Sequence, residues 1–447
     1  HLGGVLADDM GLGKTLLVRA MAARAKELGT LGSTSGPLLI VAPTSVVGTW
    51  ASEAARFCPD LQVVAVTETE KRSGRALTEQ AVGADLVVTS YALLRIDEQA
   101  YRTQSWCGLV LDEAQFVKNH QAKTYQCARL LPAPFKLAIT GTPLENSLMD
   151  LWSMLSITAP GLFPNPQKFS ELYRKPIENG TVPEQLVTLR RRIRPLMLRR
   201  PKAQVAPDLP PKIEQHLPVV LNPQHRKIYD QHFARERQRV LGLLDDLQKN
   251  RIAIFRSLTL LRQLSLDVSL VDETLSRTVA SSKIDVLLEQ LQEVVAEGHR
   301  VLVFSQFTGF LALVKARLEA EAIGYCYLDG RTRDRPKRIA EFRDGDAPVF
   351  LISLKAGGVG LTLTEADYVF VLDPWWNPAA EAQAVDRTHR IGQTRTVMVY
   401  RLVATDTIEE KVVALQQRKK ELFDRVVGDD AMASAALSAE DIRGLFS

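Results

Sequence analysis

Residues 7–15 read Ala-Asp-Asp-Met-Gly-Leu-Gly-Lys-Thr, and this stretch decides how the rest of the chain is read. Gly11 and Gly13 allow a turn tight enough for several backbone N–H groups to face one anion. Lys14 adds a mobile charge for β- and γ-phosphates, and the Thr15 hydroxyl is a ligand for Mg²⁺. The helix that starts near Thr15 turns its positive end toward the same anion. Asp9, Met10, Gly11, Leu12, Gly13, Lys14 and Thr15 are therefore the expected nucleotide-binding loop. Asp8 stands where the phosphate-loop pattern usually has Gly or Ala, and a plain Gly-rich turn is the bland alternative.

A second stretch favours the nucleotide. Gly108-Leu-Val-Leu-Asp112-Glu113-Ala114-Gln115 is an apolar strand ending in two acids. Ligands of parallel α/β sheets gather at the carboxyl ends of strands. Asp112 is expected to hold Mg²⁺, directly or through water, and Glu113 to orient and activate the attacking water. A solvated acid pair opening a helix would look the same in isolation. The order of phosphate loop, strand and acid pair argues against it.

The chain has 447 residues, more than one core holds, so two or three domains are expected. A net charge of +4 excludes a basic wrap-around nucleic-acid binder, and any such site must come from local clustering. No apolar run reaches membrane-spanning length, and no membrane partner is expected. Cys58, Cys107, Cys127 and Cys326 are scattered and read as reduced thiols of a cytoplasmic protein. The chain opens at His1 without methionine, and its N-terminus reads as truncated.

Short apolar runs alternate with helical patterns in the first part. Leu38–Ala42, Gln62–Val66, Leu86–Thr89, Leu109–Leu111 and Leu137–Thr140 are expected as buried parallel strands, while Gly3–Leu6 is barely a strand. Residues 160–200 read as short helical segments of a first domain spanning 1–200. Residues 201–221, with Pro207, Pro210 and Pro211, read as a stiff linker, and 222–278 as a charged helical segment. Another α/β alternation fills 279–425, with strands near 301, 325, 349, 368 and 397. Residues 426–447 read as a loop and a weak helix.

Gln383-Ala-Val-Asp386-Arg387-Thr388-His389-Arg390-Ile-Gly392-Gln393 lies in this second half. Arg387 and Arg390 are three apart and on a helix would share one face. Their guanidinium forks suit one polyphosphate. A polar surface helix is the alternative reading of this segment alone.

Taken together, these motifs resemble the Swi/Snf family of DNA-translocating ATPases in helicase superfamily two, closest in style to bacterial HepA/RapA-like motors. Further matching stretches are Val41–Ser45 with Trp50, Thr89–Tyr91, Thr140–Asn146, Arg194–Arg200, Val303–Phe307, Tyr327–Gly330, Ser353–Thr364 and Asp373–Pro378. The resemblance implies two tandem RecA-like α/β lobes, parallel sheets flanked by helices, with 160–200 and 222–278 as helical protrusions and 426–447 as a C-terminal brace or tail. It implies ATP hydrolysis with ATP and Mg²⁺ as cofactors. Lys14, Glu113, Arg387 and Arg390 would be catalytic, with Gly360 also at the nucleotide. Thr140, Gly141, Thr142 and Gln383 would couple the nucleotide site to DNA. Double-stranded DNA would be held by Pro43, Thr44, Ser45, Thr89, Ser90, Ser305, Gln306, Lys355, Gly358 and Trp376. Hydroxyls and backbone N–H groups of this kind position phosphates without reading sequence.

The implied protein is a monomeric motor of the bacterial cytoplasm and nucleoid that remodels or displaces DNA-bound complexes, RNA polymerase among them. A strand-separating DNA or RNA helicase and a motor-dead DNA-binding scaffold are the alternatives. Gln115 stands where many relatives have His, Lys355 replaces a frequent Arg and Thr362 a frequent Asn. The adenine-reading Gln of the family would lie upstream of His1. Arg190–Lys202 reads equally as a phosphate patch, a solvated face or an internal clamp. His389 is expected to make a structural or coupling hydrogen bond.

Overall fold

The computed structural model describes residues 3–32, 36–141, 147–178, 183–277, 279–357, 362–375, 378–427 and 439–446. The chain divides into two compact units, the first built from residues up to Pro207 and the second mainly from Asp208–Lys419. Among the described residues no helix is long and apolar enough to cross a membrane.

The first unit carries β1 (Gly4–Leu6), β2 (Leu38–Ala42), β3 (Val63–Ala65), β4 (Leu86–Ser90), β5 (Gly108–Leu111), β6 (Lys136–Ile139) and β7 (Met197–Leu198). They form one sheet in the order β3-β4-β2-β5-β6-β1-β7. Every pairing in it is parallel. β2, β4 and β5 are buried along their whole length, which explains the apolar runs of β2, β5 and the first three residues of β4. β1 is a full member of the sheet despite its three residues. Val5 pairs with Ala138 on one side and Met197 on the other, so neighbours supply the hydrogen bonds that its length does not.

The second unit has β8 (Lys212–Val219), β9 (Val301–Ser305), β10 (Tyr325–Leu328), β11 (Val349–Ser353), β12 (Tyr368–Val371) and β13 (Val397–Ala404). Its sheet runs β10-β11-β9-β12-β13-β8, again all parallel. Here the expected linker, 201–221, needs correction. It contains β8, which pairs with β13 residue for residue from Lys212–Val397 to Val219–Ala404. The strand is masked in sequence because it lies at a sheet edge, where Lys212, Glu214, His216 and Pro218 are tolerated. Glu214 pairs with Arg401 of β13 at 2.6 Å.

Helices Pro223–Leu241 and Leu247–Leu266 pack against each other. Val240, Ile254, Leu258 and Leu261 share a core with Ile408, Val412 and Leu415 and with Ile442, Leu445 and Phe446 of the last helix. Of the expected brace, 428–438 lie outside the described residues.

Lys283 and Glu409 are both fully buried and 2.7 Å apart. The ammonium also donates to the Leu372 and Leu402 carbonyls at 2.6 and 3.0 Å. Removing one partner leaves an uncompensated buried charge. Lys283→Ala should destabilise the protein by about 3–5 kcal/mol, whereas Lys283→Met with Glu409→Leu should recover most of the loss. Urea unfolding of the three proteins checks this.

Candidate functional site

The loop after β1 has the left-handed backbone that its glycines allow, with φ 84° at Gly11 and 71° at Gly13. Gly13 caps the helix Lys14–Glu27, which places Lys14 and Thr15 in the first turn. Lys14 Nζ donates to the carbonyls of Asp8 and Asp9 at 2.7 and 3.0 Å. Met10 and Leu12 are buried and seat the loop on the domain.

Asp112 and Glu113 follow β5 at the same sheet edge. Asp112 is buried. Desolvation, with the Glu113 charge added, pushes its carboxyl up to about 7, against the opposing Trp50 hydrogen bond, the Glu113 amide and the Lys14 charge. Trp50 Nε1 donates to Asp112 Oδ2 at 2.8 Å, and the Tyr91 hydroxyl donates to the Asp112 carbonyl at 2.8 Å. The buried Arg19 guanidinium lies 4.5 Å from the Trp50 ring centroid and pairs with Glu53 at 2.7 Å. Nothing in the spacing announces that Trp50, 62 residues upstream, serves Asp112.

Glu113 has φ 50°, a conformation that is uncommon for a residue with a side chain and clusters at functional sites. Gln115 Nε2 donates to Glu113 Oε2 at 2.9 Å, and Thr140 Oγ1 donates to Gln115 Oε1 at 3.1 Å. The Thr140 amide in turn donates to the Leu6 carbonyl at 3.0 Å. A continuous polar path thus joins the acid to the ends of β6 and β1. A Cβ on Gly141 would collide with the Met10 side chain, so the chain after β6 rests directly on the phosphate loop. Thr142 lies outside the described residues.

The residues expected at DNA divide into two groups. Thr44 and Ser45 are exposed in the first turn of the helix Thr44–Phe57, capped by the buried Pro43. Thr89 and Ser90 turn their hydroxyls inward. Thr89 is fully buried with its hydroxyl 2.6 Å from the Tyr101 hydroxyl, and Ser90 Oγ accepts the Leu93 amide at 3.2 Å. Their hydroxyls are committed inward because both still belong to β4.

In the second unit Ser305 is also buried. Its hydroxyl donates to Asp373 Oδ1, and the Gln306 amide donates to the same oxygen at 3.3 Å. Asp373 lies 3.7 Å from Arg262, which also donates to the Pro374 carbonyl at 2.5 Å. Ser305 therefore shapes its loop from within and does not present its hydroxyl outward. Lys355 is exposed, while Gly358, Gly360 and Trp376 lie outside the described residues.

Gln383 is buried in the helix Pro378–Val385. That helix ends before Arg387 and Arg390, which stand on turns and do not share a helical face. The Thr388 amide and hydroxyl both bond the Val385 carbonyl, at 3.1 and 2.7 Å, and close the turn. Arg387 is buried, and Arg390 Nε donates to the Asp386 carbonyl at 2.8 Å. His389 Nε2 lies 2.8 Å from the Pro210 carbonyl, which ties this segment to the approach to β8.

Residues 1–270 match the SNF2-related domain, and 282–392 match the helicase conserved C-terminal domain. The chain belongs to the SNF2-related family, in helicase superfamily two. An uncharacterized ATP-dependent helicase of Mycoplasma pneumoniae is 35% identical over 99% of this chain and 42% of its own length. A chromodomain-helicase-DNA-binding protein 1-like of Danio rerio is 34% identical over 95% of this chain and 42% of its length. A Sulfolobus solfataricus SWI2/SNF2 ATPase core, solved in complex with dsDNA, is 32% identical over 99% of this chain and 92% of that one, with a TM-score of 0.46. This SNF2-related chain spans less than half the length of the curated relatives it matches.

Trp50→Phe keeps a ring and removes the indole donor that holds the Asp112 carboxyl down. The Asp112 carboxyl should take up its proton as pH drops through about 7 in the parent and at higher pH in Trp50→Phe. Infrared difference spectra of the carboxylate bands across pH, compared with Asp112→Asn, measure the shift.

Proposed function

We propose that this chain is the motor of an ATP-driven translocase on duplex DNA, which remodels or displaces bound complexes. The observation that carries the reading is the convergence at one sheet edge of the phosphate loop, Asp112 and the Glu113–Gln115–Thr140 path. Lys14 and Asp112 are close enough for the lysine charge to act on the carboxyl. Thr15 and Asp112 offer the hard oxygen donors that Mg²⁺ takes, and the buried, under-compensated carboxyl of Asp112 suits a cation. Mg²⁺ there would neutralise charge on the β- and γ-oxygens.

In this reading the loop N–H groups and Lys14 hold the triphosphate. Glu113 orients water and accepts its proton, and Gln115 keeps the carboxylate turned toward that task. Arg387 and Arg390 carry guanidinium charge of the kind that phosphoryl transfer uses. Thr140 and Gly141 register the state of the phosphate loop through Gln115 and Met10. Exposed Thr44, Ser45 and Lys355 supply phosphate contacts, and exposed Arg190, Arg191 and Arg194 add charge to the first unit. Family membership and the DNA-binding name of the Danio rerio relative support the polynucleotide assignment.

Turnover should rise on adding duplex DNA and respond much less to single strands or RNA. Equal stimulation by single strands would favour a strand-separating helicase, and no turnover with any of them a motor-dead scaffold. Glu113→Gln should lower turnover by about 10²–10⁴, the usual scale of general-base catalysis, while nucleotide and DNA binding persist. Steady-state hydrolysis and equilibrium binding on the same preparations separate these outcomes.

A further inference from the structure

Asp8 is completely buried, yet no step assigned above uses its carboxylate. Arg200, 192 residues away, surrounds it. The Arg200 amide donates to Oδ1 at 2.9 Å, Nη2 donates to Oδ2 at 2.6 Å, and Nε lies 3.2 Å from both oxygens. Asp9 is held from the same segment, its Oδ2 accepting the Lys202 amide at 2.9 Å. Between these contacts the Ala7 and Asp9 amides donate to the Leu198 and Arg200 carbonyls at 2.7 and 3.2 Å. The pairing of β1 with β7 therefore continues past both strands into the phosphate loop.

The two residues gripped in this way have a second face. Their carbonyls are the ones that accept the Lys14 ammonium. Side chains of Asp8 and Asp9 point to the strap 198–202, and their carbonyls point to the lysine that must reach phosphate. We propose that Arg200 is a positioning residue for nucleotide binding: by neutralising and fixing Asp8 it sets the loop backbone from which Lys14 reaches the phosphates. The inference rests on the nucleotide reading of the loop given above.

The physical argument is one of charge. Asp8 has no exposure, whereas the Arg200 side chain is 37% exposed, so the pair reaches solvent from the arginine side only. Without the guanidinium, Asp8 is an unpaired buried anion in the segment whose carbonyls hold Lys14. Its relaxation toward other partners would pull the loop backbone from its seat. The strap also lies just before the boundary between the two units, near Pro207. The chain leaving the first unit is thus bonded directly to the nucleotide loop.

The test compares the parent chain with Arg200→Ala, Arg200→Lys and the double variant Asp8→Asn with Arg200→Ala. Fluorescent ATP-analogue binding, steady-state hydrolysis and thermal unfolding are read on each. Arg200→Ala should weaken nucleotide binding and raise KM roughly 10- to 100-fold, the scale of losing one hydrogen bond to a charged group. Its kcat at saturating ATP should stay within about threefold of the parent, because the residue acts on binding and not on the chemical step. Arg200→Lys should fall between the two. The double variant should regain most of the affinity, since no buried charge is left unpaired.

Parent-like affinity in a folded Arg200→Ala overturns the proposal. So does a loss of kcat equal to the loss of affinity that the double variant fails to repair. If Arg200→Ala does not fold, the double variant decides: near-parent affinity supports the proposal and lost affinity overturns it. Absence of nucleotide binding by the parent overturns the reading of the site itself, and this inference with it.

Discussion

Both units depend on one constraint: a sheet whose strands all run the same way must collect its strand ends at one edge. Each connection then crosses over a face and begins again from the far side. In the first unit this brings the loop after β1, Pro43 after β2, Asp112 after β5 and Thr140 after β6 to one rim. In the second it brings Asp373 after β12 beside Ser305 at the end of β9. The chemistry is distributed over distant sequence, and only the parallel register assembles it.

Buried charge supplies the second layer of order. Asp8–Arg200 ties the phosphate loop to the strap 198–202, Lys283–Glu409 ties two helices of the second unit to its sheet, and Arg262–Asp373 ties a protruding helix to the loop after β12. Such pairs add little net stability over well-packed apolar groups, but losing one partner is costly. Each is therefore better understood as a fastener that fixes one arrangement of distant segments. The Arg190–Lys202 cluster shows how local context divides a run of like charge. Arg190, Arg191 and Arg194 face solvent, and Arg200 turns inward to a carboxylate.

The hydroxyl residues follow the same logic of position. Thr44 and Ser45 lie beyond the end of β2 on a helix turn and are exposed, while Thr89, Ser90 and Ser305 are still held within their strands and satisfy internal partners. Residue type suggested one role for all five. Whether the hydroxyl passes the rim of the sheet decides which of them is exposed.

Local pattern in the sequence determined the phosphate loop, the acid pair after β5 and the two-sheet α/β plan, because glycine spacing and unbroken apolar runs are local signals. It also marked most strands to within a residue or two. It was silent on β8, whose edge position removes the apolar signature. It put Arg387 and Arg390 on one helix, because three-residue spacing cannot show that the helix ends at Val385, before both. Tertiary structure alone placed Trp50 on Asp112, Gln115 between Glu113 and Thr140, and Arg200 on Asp8. These contacts depend on which strand ends become neighbours, and that follows from sheet order, which no window of sequence contains.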